Sequence, residues 1–131
     1  MPTEKVLVLG ASGRTGQCIL DFLVQKRINA NCLVRNKSKI KNSEFIQVFA
    51  GDVQNKKHLE QAYEDCSAII NVLNISRVND FPWSKLRTPK TLLSSTTKAV
   101  LELAESKDIK RYIVCSAWGV GDTRVSIPFW F

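Results

Sequence analysis

Five short apolar runs punctuate the chain, with stretches of helical spacing between them. KVLVL (residues 5–9) is a run of β-branched and leucine residues that stops at Gly10, the pattern of a buried strand. ANCLV (30–34), FIQVF (45–49), AIINVL (68–73) and RYIVC (111–115) read the same way. After the first run, Gly16, Ile19, Leu20, Leu23 and Val24 recur at i, i+3, i+4, i+7 and i+8, which predicts a helix over residues 14–27 with one apolar face. Leu59, Ala62, Tyr63 and Cys66 predict a second helix over 55–65. Ala99, Val100, Leu103 and Ala104 predict a third over 95–106. Residues 74–93, with Pro82 and Pro89, read as a long irregular connection, and connections of that length often carry function. Strands alternating with helices are the mark of parallel βαβ units. The expected fold class is α/β: a doubly wound parallel sheet of about five strands, helices on both faces, and strands apolar enough to be buried on both sides. The length of 131 residues fits a single domain over 1–131. The sequence shows no internal repeat and no low-complexity segment.

Composition narrows the function classes. At 44% hydrophobic and 24% charged the chain is an ordinary globular sequence. No apolar run approaches the ~20 residues of a membrane span. The run near the N-terminus is too short for the apolar centre of a secretory signal. A cytoplasmic location is expected, with no membrane partner. The net charge of +7 raises nucleic acid as a partner. The basic residues are dispersed, however, and the densest group, RNKSKIK (35–41), has no interleaved aromatic platform. The expectation is therefore no nucleic acid, and Lys37, Lys39 and Lys41 read as a solvated face, the alternative being that Lys37 or Lys39 assists phosphate binding. Cys18, Cys32, Cys66 and Cys115 form no CxxC pair and sit in apolar segments, so they read as small core residues in a reducing compartment. His58 alone cannot make a metal site, and no metal is expected. It reads as a solvated helix residue.

The glycines carry the chemistry. GASGRTG (10–16) stands where the first strand turns into the first helix, and its three glycines follow a GxxGxxG spacing. A helix N-terminus presents free N–H groups and a positive dipole end, which suits phosphate. In a Rossmann-like βαβ unit the first glycine makes the tight turn. The second lets the backbone approach a pyrophosphate, and the third lets the helix pack close to the sheet. The bland alternative is a tight strand–helix turn with no ligand. Cofactor choice is also written locally. Folds specific for NAD place an acid at the end of the second strand. Here that place holds Arg35, and no acid occurs between Asp21 and Glu44. A guanidinium grips a 2′-phosphate that a carboxylate would repel, so the expected cofactor is NADP(H), with Arg14 reaching the same phosphate. Otherwise Arg35 is an ordinary solvated arginine.

GASGRTG, LVRN after the second strand, GDV after the third and CSAWGVGD after the fifth together resemble the atypical short-chain dehydrogenase/reductases, in particular their NmrA-like and biliverdin/flavin-reductase-like branch. The resemblance runs over about residues 4–122. It implies that Gly10, Ala11, Ser12, Gly13, Arg14, Thr15 and Gly16 wrap the pyrophosphate, and that Arg35 meets the adenosine ribose. It further implies that Asp52 and Val53 border the adenine, that Leu73 lies along the cofactor, and that Ser116 sits near the nicotinamide as the catalytic candidate. Two departures stand out. The Tyr-x-x-x-Lys pair of typical relatives is absent: Tyr63 is followed four places on by Ser67, and Tyr112 by Ser116. The sequence also ends at IPFWF, where relatives continue into helices and strands that build the substrate side. The implied cofactor half is nearly complete and the substrate half mostly missing.

Two functions follow as expectations. The first is an NADPH-binding oxidoreductase-like domain that passes hydride to a small planar or carbonyl acceptor, such as a flavin or quinone. The second is a non-catalytic NADP(H)-sensing module that binds a protein partner. Trp118 is a stacking ring or a core aromatic, and Ser116 an acceptor-orienting hydroxyl or a simple cap. Asp80, Trp83, Lys85 and Lys90 are candidates for a substrate entrance. The apolar tail Ile127, Pro128, Phe129, Trp130 and Phe131 is expected to cover the open C-terminal sheet edge or to join a homodimer or protein partner there.

Overall fold

A computed structural model describes residues 4–74, 83–86, 88 and 91–115. Their order is β1 (Lys5–Leu9), α1 (Arg14–Gln25), β2 (Asn29–Val34), a single 3₁₀ turn (Lys37–Lys39), β3 (Ile46–Ala50), α2 (Lys56–Tyr63), β4 (Ala68–Asn71), α3 (Leu92–Ser106) and β5 (Arg111–Val114). The strands form one parallel sheet in the order β3-β2-β1-β4-β5. The chain builds outward from β1 to β3, then crosses back to β4 beside β1. All C-terminal strand ends lie along one rim, and the crossing makes a switch point between β1 and β4. A Rossmann-like fold binds its ligands at such a point.

The alternation of side chains along each strand divides the core in two. Leu7 and Leu9 of β1, Leu33 of β2 and Ile69 of β4 pack with Leu59, Ala62 and Tyr63 of α2 and with Val100 and Leu103 of α3. Val8, Ala30, Cys32 and Val34 point the other way, onto Leu20 and Leu23 of α1. Helices therefore cover both faces, as the periodicity predicts. Asn31 is the polar exception inside β2. Its Nδ2 donates to the Ala62 carbonyl at 2.8 Å, which ties the end of α2 to the sheet.

Several expectations need correction. The first helix ends at Gln25, before Arg27. Arg27 takes a left-handed φ of 57° while the Ile28 N–H closes back on the Leu23 carbonyl, a stop the apolar periodicity does not encode. The third helix begins at Leu92, three residues early, and buries Leu92 and Thr96 while Ala104 faces out. Among the described residues β5 stands at the sheet edge, and it is not buried on both faces: Ile113 is 46% and Val114 47% exposed. Cys18 and Cys115 are exposed too, because Cys18 lies off the buried stripe of α1 and Cys115 just beyond the edge strand. No helix among the described residues is long and apolar enough to cross a membrane. Ser116, Trp118, Asp80, Lys90 and the tail 127–131 lie outside the described residues.

Burial gives Cys32 an alkaline liability. Desolvation pushes its thiol up to about 12 from an ordinary 9.0. Between those values the unfolded chain has lost a proton that the folded chain keeps, so stability falls as pH rises, by about 1.4 kcal/mol per unit for this group. Below pH 9 the contribution is intact. Urea unfolding of the parent and of Cys32→Ala at pH 8.5 and 10.5 checks this: the parent should lose more between the two conditions, and parallel losses would refute it.

Candidate functional site

The glycine loop lies on the strand-end rim at the switch point, and each glycine there has a separate physical reason. Gly10 has a φ of +85°, and a Cβ on it would stand 2.8 Å from the Leu73 nitrogen. It turns the chain where β4 leaves the sheet close by. Gly16 faces the turn itself: a Cβ there would lie 2.6 Å from the Ala11 Cα, and closer still to the Gly10 carbonyl oxygen. Gly13 is different. Its φ of −76° and ψ of 171° suit any residue, and a Cβ would meet only the Gly10 oxygen, at 3.5 Å. Packing among the described residues gives no reason for glycine at 13.

Gly13 is also the N-cap of α1 and supplies no side-chain cap. The N–H groups of Arg14 and Thr15 make no hydrogen bond within the described chain. An anion at this end would find open donors and the positive end of the helix dipole. Ala11 is fully buried against α1, so only its backbone faces the loop.

A cleft of about 180 Å³ runs from this loop across the ends of β1, β2 and β3. It gathers Gly10, Ser12, Arg35, Asp52, Val53 and Leu73, all singled out from the sequence, with Leu33, Val34, Gly51, Gln54, Thr88 and Leu92. Arg14 and Thr15 are not in its lining, and Thr15 opens instead onto a second cavity of about 750 Å³. That cavity lies beyond Leu73, between α3 and the end of β5, with Asn71, Ser94, Thr97, Lys98 and Cys115 in its wall. Leu73 is common to both. Asn71 fixes it there: its Oδ1 accepts from the Leu73 N–H at 3.0 Å, while its Nδ2 donates to the Tyr112 hydroxyl at 2.9 Å. Lys37, Lys39 and Lys41 are exposed, as expected. Trp83 and Lys85 are exposed and line neither space.

His58 corrects an expectation. It is half-buried, and its Nδ1 accepts from the Asp52 N–H at 3.0 Å. The pattern on α2 could not show this, because the loop folds back over the helix start only in three dimensions. Gly51, the last residue before the GDV acid, was a weak signal that the ring is there. Leu92 and Thr88 were hidden in the stretch read as irregular.

The residues present fit a dinucleotide. The glycine at 13 leaves room at an uncapped helix end for a pyrophosphate, and the apolar cleft with Arg35 at its rim suits a purine ribose. Among the described residues no group of His, Cys, Asp and Glu is placed to hold a metal.

Comparison with known proteins agrees. A Rossmann-fold NAD(P)-binding family protein from Shigella flexneri is 24% identical and superposes with a TM-score of 0.71 over 92% of this chain and 55% of its own. A short-chain dehydrogenase/reductase of Veillonella parvula, solved with NADP, gives 0.70 at 21% identity over 88% of this chain and 48% of its own. An uncharacterized membrane protein of Methanocaldococcus jannaschii is 25% identical over 121 residues, 86% of this chain and 36% of its own. The chain thus spans about half the length of the two solved proteins and about a third of the curated relative. These likenesses bear out the fold. The model of a family described as NAD(P)H-binding matches residues 10–131, from the glycine turn onward, and the chain belongs to that family.

Proposed function

We propose that the chain is the cofactor-binding part of an oxidoreductase that prefers NADP(H) and serves a small planar or carbonyl acceptor such as a flavin or quinone. The observation that carries the reading is Arg35 at the mouth of the cleft that also holds Gly10, Ser12 and Asp52. A dinucleotide lying from α1 toward β3 would bring its adenosine ribose to this guanidinium. No acid at the end of β2 competes for the ribose hydroxyls. Uncapped N–H groups of α1 bind the pyrophosphate, and Val53 and Asp52 border the adenine. The nicotinamide, when bound, supplies the hydride. Leu73 holds the boundary between the cofactor cleft and the larger cavity, which is where an acceptor fits. Ser116 is proposed to orient that acceptor. Tyr112 lines neither the cleft nor the larger cavity, so a proton from water, or an acceptor that needs little acid help, suits the site. A cytosolic setting fits this use.

Titration of NADPH and NADH against the parent and Arg35→Ala tests the reading. Hydrogen bonds to charged groups are worth about 1.5–3 kcal/mol, so one such contact predicts a preference of roughly 10- to 100-fold for NADPH. The preference should shrink toward unity in Arg35→Ala. Equal affinities in the parent, or an unchanged ratio in the variant, would defeat it. The exposed Ile113 and Val114 on the edge strand favour a second reading, a non-catalytic NADP(H) sensor whose protein partner or second copy sits at that edge. NADPH oxidation with a panel of quinones, flavins and carbonyls separates the two: turnover supports the oxidoreductase, and tight binding without turnover supports the sensor.

A further inference from the structure

We propose that His58 is the positioning residue of the adenine-side wall, holding the loop of Gly51, Asp52 and Val53 in its binding shape. The inference rests on the cofactor reading of the cleft.

The argument starts at the beginning of α2. Asn55 caps the helix, and its Oδ1 accepts from the N–H of Lys57 at 3.0 Å and of His58 at 3.4 Å. His58 is the third helical residue. A Glu or Gln at that position commonly reaches back to the N–H of the cap residue. Here that N–H is engaged, because Asn55 donates to the Asp52 carbonyl at 3.0 Å. The imidazole reaches three residues further, and Nδ1 takes the Asp52 N–H. A carboxylate could accept the same bond, but it would add a charge beside Asp52. The imidazole accepts the bond through a ring nitrogen. A Cβ at position 51 would fall 2.7 Å from Nδ1 and 2.8 Å from Cγ, so glycine stands at 51 because the ring does.

The rest of the loop is anchored from within, from the sheet, and at its far end by the Gln54 Nε2, which donates to the Ser95 Oγ of α3 at 3.1 Å. Gly51 donates to the Val34 carbonyl at 2.9 Å, and Gln54 to the Asp52 carboxylate at 2.9 Å. Among the described residues, His58 alone ties the N–H of Asp52 to a helix side chain. Gly51, Asp52, Val53 and Gln54 all line the cleft, so the bond sets a wall and not a remote turn. Asp52 is exposed, and without His58 its N–H goes to water. The fold then survives while the wall loses its fixed shape.

The test divides the dinucleotide into halves. The probes are adenosine 2′,5′-bisphosphate and reduced nicotinamide mononucleotide, titrated against the parent, His58→Phe, His58→Asn and Gly51→Ala. Phe keeps a ring over the loop without the acceptor. Asn places a carbonyl oxygen where Nδ1 stands. The expected result is a loss of about tenfold in affinity for the bisphosphate in His58→Phe, the scale of one neutral hydrogen bond. His58→Asn should restore most of it, and Gly51→Ala, which displaces the ring from the other side, should lose it again. Binding of the mononucleotide should not change. Undiminished bisphosphate binding by His58→Phe overturns the proposal. So does equal weakening of both halves, which would mark a merely structural residue, and so does failure of Asn to rescue. A parent that binds neither probe overturns the cofactor reading itself, and this inference with it.

Discussion

Gly16→Ala is expected to destabilise the chain by about 2 kcal/mol or more, although the same change strengthens an ordinary helix. Alanine in a helix interior is favoured over glycine by about 0.8–1.0 kcal/mol. Against this stands the space at Gly16. The new methyl would press on the Gly10 carbonyl oxygen and lie 2.6 Å from the Ala11 Cα. Both are backbone atoms of the turn, and neither can swing aside as a side-chain tip would. Relief requires the start of α1 to lift from β1, loosening the contacts of Leu20 and Leu23 with Val8 and Cys32. Overpacking of this kind costs about 1–3 kcal/mol and sometimes more; with rigid backbone on the facing side the upper end applies, and about 3 kcal/mol or more, less the propensity gain, leaves about 2 kcal/mol or more. The melting temperature should fall by roughly 6–10 °C for a domain of this size, with a matching drop in the urea midpoint. A variant as stable as the parent would mean that the third glycine of the motif is not set by helix–sheet contact.

Much of the fold was legible because its strands announce themselves by apolar runs, and β1 and β3 a second time by the glycines that follow them, Gly10 and Gly51. KVLVL is β1 to the residue, and RYIVC misses β5 by one. The helices were legible on their buried faces and unclear at their ends. The apolar positions 99, 100, 103 and 104 predict α3 from Ser95, yet the burial of Leu92 against the α2 face carries the helix three residues further back. The open edge at the fifth strand was legible, but the exposure of its side chains was not, because RYIV carries the same kind of apolar run as the inner strands while Ile113 and Val114 stand exposed.

The site divides the same way. Residues in the glycine turn and those directly after β2, β3 and β4 were readable, because a parallel sheet brings its strand ends to one rim whatever lies between. Arg35, Asp52 and Leu73 reach one cleft on that account. What could not be read depends on how one segment folds over another. His58 meets Asp52 across a helix cap, Gln54 donates to Ser95 of α3 at 3.1 Å, and Thr88 enters the cleft from the long connection. Motif spacing holds no trace of such contacts.

Gly13→Val is expected to leave stability within about 1 kcal/mol of the parent while weakening NADPH binding roughly 100-fold or more. The first half follows from the protein alone. The backbone at 13 has extended angles any residue adopts, and the added Cβ meets only an ordinary contact at 3.5 Å. Losing glycine's excess freedom in the unfolded chain offsets the weaker helix cap that valine makes. The second half follows from what glycine leaves open. The N–H groups of Arg14 and Thr15, beside this residue, have no hydrogen-bond partner among the described residues, and a pyrophosphate would take them as charge-assisted bonds worth about 1.5–3 kcal/mol each. A branched side chain at 13 stands in the way of that approach. Loss of two such bonds is about 3–6 kcal/mol, a hundredfold or more in affinity. Gly16→Ala and Gly13→Val therefore separate two uses of one motif, since the first lowers stability and the second lowers affinity in a stable fold. Full NADPH affinity in a folded Gly13→Val would mean that the phosphate does not lie at the start of α1, and the binding mode drawn from Gly13 would fall with it.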